Sequence, residues 1–140
     1  MSSLSSTGVV EIVSPEPFAP TLDRLAAAIR QAGLVVFGRI DHAGAAHEIG
    51  LQMPPTTVLI YGHAKGGTPI MLAAPSAALV LPLRVLIREG VEGQVLVSFQ
   101  PIGPLLRSIG VPAELLDRLE PAQRLILEAV EQANPGRPGS

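Results

Sequence analysis

Apolar and polar positions change period along this chain, and each change marks an element. Gly8 to Val13 alternates weakly and is rich in Val and Ile, which predicts a strand. Ser14-Pro15-Glu16-Pro17 ends it, because proline cannot extend a hydrogen-bonded ladder. Phe18, Leu22, Leu25, Ala26 and Ile29 then recur at helical spacing, with Asp23, Arg24 and Arg30 off the stripe. Thr21 fits the N-cap of that helix, and Gly33 the left-handed residue beyond its end. Leu34 to Asp41 predicts a second strand, and Ala-rich His42 to Gly50 a short helix. Thr56 to Tyr61 is apolar on both faces, the pattern of a central strand. Gly62 to Thr68 reads as a glycine-rich loop, followed by short helical turns over Pro69 to Ala74 and Ser76 to Val80.

Leu81 to Glu89 and Gln94 to Gln100 alternate clearly on either side of Gly90-Val91-Glu92-Gly93, which predicts a hairpin. Pro112 and Pro121 suit first helical positions. Ala122, Leu125, Ile126, Ala129, Val130 and Ala133 form a final helical stripe. The expected order is β-α-β-β-β-β-α, with short helices in the connections. This is an α+β domain: a mainly antiparallel sheet of about five strands, with two long helices packed on one face. One domain is expected over 8–133, between a disordered N-terminus (1–7) and a disordered tail (134–140).

Composition narrows the function classes. Nearly half of the 140 residues are hydrophobic, enough for a core without staples. There is no Trp, one Tyr and three Phe, so that core is aliphatic. The net charge is −2, the basic residues are scattered and stacking aromatics are scarce, which argues against nucleic-acid binding. Cysteine is absent, which removes disulfides, thiolate catalysis and cysteine-based metal sites. Met1 to Thr7 has no basic region of a signal peptide, and Ile70 to Leu83 is too short to span a bilayer. A cytoplasmic protein without membrane contact is expected.

Candidate chemistry gathers in one stretch. Gly62, His63, Lys65, Gly66, Gly67 and Thr68 leave a strand and enter a helical turn. Glycines free backbone amides to point inward, a helix start adds partial positive charge, and Lys65 supplies a full one. The segment therefore suits a phosphate or carboxylate. It is not a nucleotide-type phosphate loop, which sets Lys directly before Ser or Thr. The same glycines also suit a plain surface turn. All three histidines (His42, His47, His63), the single Tyr61 and the single Lys65 lie between residues 42 and 65, with Asp41 and His42 as neighbours of the glycine segment. His42 and His47 stand about 140° apart on an ideal helix, against the i, i+4 spacing of zinc helices. No metal site, cofactor or catalytic residue is assigned.

The middle of the chain resembles the domain-of-unknown-function 302 family of small bacterial and archaeal proteins. The residues that carry the likeness lie between 33 and 100. They are Arg39-Ile40-Asp41-His42-Ala43, Ala46, Gly50, Pro55-Thr56, Gly62, Lys65, Gly67-Thr68, Met71, Pro75 and Leu81-Pro82-Leu83. The resemblance implies a curved antiparallel sheet, often a homodimer, and no established activity. Members commonly carry Asn-Pro where this chain has His63-Ala64, an acidic residue at Val80 and Tyr at Phe99.

Three readings follow. The first is a dimeric module that binds an anionic small molecule at Gly62 to Thr68. The second is a structural or interaction homodimer without a ligand. The third is a hydrolase or isomerase using His42 or His63 with Asp41 or Glu48.

Overall fold

The computed structural model describes residues 3–4 and 8–134. The ends expected to be disordered lie outside them, except for residues 3–4 and Asn134. Ser3–Leu4 forms a two-residue strand (β1), where the sequence pattern predicts only a disordered start. The other strands are β2 (Val10–Ser14), β3 (Val35–Asp41), β4 (Thr56–Gly62), β5 (Leu83–Glu89) and β6 (Val95–Phe99). Among the described residues they form one curved antiparallel sheet in the order β1-β2-β6-β5-β4-β3. β4 is internal, as its apolar run predicts, but lies one strand from the edge. A bulge in β3 at Phe37 shifts its register against β4, which bends an edge strand.

Helices pack on one face of this sheet. α1 (Phe18–Gln31) buries Leu22, Leu25, Ala26 and Ile29, the predicted stripe. It begins four residues earlier than a Thr21 cap would place it, with Pro17 at the cap position. Thr21 is buried inside the helix, 2.6 Å from the Ser14 hydroxyl, and donates to the carbonyl of Glu16. It ties the helix back to β2. Gly33 holds the expected left-handed conformation (φ 82°) just past the helix end.

α6 (Glu120–Gln132) packs beside α1. Its buried face is Gln123, Ile126, Ala129 and Val130; Ala122, Leu125 and Ala133 of the expected stripe are only half-buried, and Gln123 is buried where no polar residue is expected. That burial is possible because Gln123 finds partners. Its Nε2 donates to the Gln100 carbonyl (2.8 Å), and its Oε1 accepts from the Ile102 amide (2.9 Å).

Connections carry α2 (His42–Glu48), α3 (Ala64–Ala73), a 3-10 turn (Pro75–Leu79), α4 (Ile102–Ser108) and α5 (Ala113–Leu116). α4 has no counterpart among the expected elements. The hairpin forms as predicted, although only Gly93 of its two glycines takes a positive φ.

Tyr61, Leu59, Val85, Ile87, Val97 and Ile12 face the helices in one buried layer. The opposite face mixes apolar and charged residues. Register puts Ile40, Val58, Leu86 and Ser98 in one row across it, with Ile60 beside Arg84. Arg88 and Glu11 form an ion pair at 3.4 Å on that face.

Candidate functional site

A cavity of about 600 Å³ opens where β3 begins and β4 ends. All of Gly62 to Thr68 lines it. Leu34, Phe37, Met71, Leu81, Pro82 and Leu83 form apolar walls. Arg118, Leu119 and Ala122 close it from the segment that leads into α6. Lys65 and Arg118 are exposed at its rim and His63 is half-buried. No Asp or Glu lines it. Neither Lys65 nor Arg118 makes an ion pair among the described residues.

The glycine-rich segment is not a loop. Only Gly62 and His63 precede the helix, and Ala64 to Thr68 are its first residues. His63 is the cap: its Nδ1 accepts from the Lys65 amide at 3.0 Å. An imidazole nitrogen thus takes the capping role usually filled by a side-chain oxygen. Ala64 then occupies the first helical position, where Pro fits without loss of a hydrogen bond. The Gly66 and Gly67 amides both donate to the His63 carbonyl at 3.1 Å. Three first-turn amides are thus already engaged, and Lys65 and Arg118 are the charged donors of the lining. That corrects the expectation of inward-pointing amides.

The first turns of α3 are poor helix formers. Gly66 and Gly67 each cost roughly 0.5–1 kcal/mol against alanine. Pro69, inside the same helix, lacks an amide for the ladder. Neither Gly66 nor Gly67 has a positive φ.

Asp41 and His42 do not adjoin this cavity. β3 and β4 run antiparallel, Asp41 pairs with Thr57 and Val35 with Gly62. The chain from Thr57 to His63 spans roughly 20 Å when extended. Asp41 instead caps α2, accepting from the Gly44 amide at 2.9 Å. His42 and His47 are exposed on α2, so the three histidines do not converge. Among the described residues, no three His, Asp or Glu side chains are grouped to hold a metal ion. Tyr61 is fully buried, and its hydroxyl donates to the Ala122 carbonyl at 3.0 Å. Burial pushes its phenol above the usual range.

The family model described as "Domain of unknown function DUF302" matches residues 10–133. The chain belongs to the DUF302 family. A solved relative is the uncharacterized conserved DUF302 protein from Bacillus stearothermophilus. It aligns with a TM-score of 0.78 over 92% of this chain and 100% of its own, at 12% identity, which is a likeness of fold. Two curated proteins of Brucella, from B. suis biovar 1 (strain 1330) and B. abortus biovar 1 (strain 9-941), are each named "Fluoride-specific ion channel FluC 1". Each is 38% identical over 95 residues, 68% of this chain. The DUF302 chain spans only 37% and 35% of their lengths. No helix of its described residues is long and apolar enough to cross a membrane.

Arg118, Leu119 and Phe37 were not singled out from the sequence. Arg118 lies about fifty residues from the glycine segment, in a stretch patterned like any helix entrance. Only a long-range contact brings it to the rim.

Proposed function

We propose that this DUF302 domain is a binding module for an anionic small molecule held in the cavity at Gly62 to Thr68. One observation carries the reading: two cationic side chains, Lys65 and Arg118, and no carboxylate line a largely apolar cavity. An anion entering it meets attraction without a competing internal partner. Lys65 and Arg118 are the donors, with Arg118 offering a planar fork.

A thermal-shift panel of carboxylates and phosphates tests this. A ligand at a hundred times its dissociation constant stabilises the fold by about 2.7 kcal/mol, a readable shift. Removing a charged hydrogen-bond partner costs about 1.5–3 kcal/mol, so Lys65→Ala and Arg118→Ala each weaken a hit about ten- to hundredfold. His63→Asp keeps an N-cap but adds a negative charge, and weakens the same hit. Hits that ignore all three variants remove the cavity from consideration.

The named Brucella proteins put a similar domain within a larger channel protein, so action beside an ion-conducting partner is a natural setting. Fluoride itself suits this cavity poorly. It is strongly hydrated, the walls are apolar and the first-turn amides are engaged. In the same panel, fluoride shifts the midpoint no more than chloride does.

A homodimer is the second reading, favoured by the uncovered sheet face, where Val13 is 57% and Ile40 41% exposed. A twofold contact would bury this row against its copy. Val58→Asp places a charge in its middle. Light scattering after size exclusion should then show a monomer where the parent is a dimer; a monomeric parent removes the reading.

A further inference from the structure

Gly66 and Gly67 lack a backbone reason for being glycine. Both sit in α3 without positive φ. A Cβ at Gly66 would stand 3.5 Å from Leu119 Cδ2. One at Gly67 would stand 3.7 Å from Met71 Cε and 3.8 Å from Leu81 Cδ1. These are ordinary contacts, so alanine would fit and would favour the helix. All three neighbours are cavity walls. What the glycine pair supplies is open space on the cavity side of the helix.

From this we infer that the ligand is a monocarboxylate with an apolar body, and that Gly66 and Gly67 determine how large that body can be. The inference rests on the cavity being the anion site. The body packs on the bare helical turn between Leu119, Met71 and Leu81. The carboxylate lies at the rim, where the Arg118 fork can bind it through two parallel hydrogen bonds. A phosphate dianion is the poorer match. It needs more donors than two flexible rim side chains offer once the first-turn amides are engaged, and its desolvation against apolar walls costs more.

Calorimetric titration with acetate, butyrate, hexanoate, octanoate, phenylacetate and inorganic phosphate tests the inference on the full chain. In the parent, affinity rises with chain length by up to about fourfold per buried methylene, and phosphate is weakest. Gly67→Leu fills the pocket and removes that dependence, lowering octanoate affinity at least tenfold more than acetate affinity. Gly67→Ala, which favours the helix, produces a smaller change in the same direction and serves if the leucine variant does not fold. If anions bind but chain length is irrelevant, or both glycine variants bind octanoate like the parent, this inference fails while the anion site stands. If neither carboxylates nor phosphate bind, the site itself fails and the inference falls with it.

Discussion

Gln123→Leu lowers the unfolding free energy by about 1–3 kcal/mol, because it orphans the buried Ile102 amide and removes the part-buried bond to the Gln100 carbonyl for one gained apolar side chain. Gln123 is only 7% exposed. It is the polar link between α6 and the chain leaving β6, holding the Gln100 carbonyl and the Ile102 amide at once. Leucine matches its size but can satisfy neither. Urea denaturation is the measurement, with an unchanged slope showing that the unfolded state is not the cause. Gln123→Glu keeps the acceptor for the Ile102 amide but gives up the donor to Gln100, and falls between the parent and leucine. A leucine variant within about 0.5 kcal/mol of the parent would mean that water replaces both bonds, and the link would lose its assigned weight. The effect reaches the cavity, since Leu119 and Ala122 precede Gln123 and form one of its walls.

Tyr61→Ala should cost about 3–5 kcal/mol, the range for truncating a buried aromatic side chain. Tyr61→Phe should cost only about 1 kcal/mol, the usual net worth of one hydrogen bond. The ring, not the hydroxyl, carries most of the stabilisation, because it fills the layer between β4 and the helices. The two variants also separate structure from chemistry. Tyr61 belongs to the residue types used in proton transfer, but its hydroxyl is spent on the Ala122 carbonyl. Its phenol is raised by burial, so the unfolded chain ionises it first, above about pH 10. The stability held by the neutral buried phenol is full below that pH and falls as pH rises. Tyr61→Phe removes this part of the alkaline loss. Equal alkaline loss in parent and phenylalanine variant would show that the phenol is not shielded as described.

The glycine segment shows how far local reading goes. Its composition identified a place where side chains withdraw and the chain turns into a helix. It did not reveal which backbone amides were free. That depended on His63 turning its ring back onto the Lys65 amide, a choice of rotamer and helix start that composition does not encode. The consequence is chemical: in the proposed anion site, the donors are side chains, Arg118 in particular, and not these amides. His63 starts the helix with an imidazole nitrogen as the cap, and Ala64 takes the first helical position.

The sequence by itself determined the α+β class, the hairpin and both long helices, because each is written in short-range period and punctuation; the family showed instead in the likeness of particular residues to its motifs. Strands repeat every two residues and helices every 3.6, so the pattern shows within a dozen positions. Only the tertiary structure decided which ends meet. Antiparallel pairing of β3 with β4 sends Asp41 and His42 to the end away from His63. The α5–α6 junction brings Arg118 to the cavity rim, and Gln123 is buried because two backbone groups far back in the chain need it. Such convergence comes from packing the whole apolar layer at once, and no local run of residues records it.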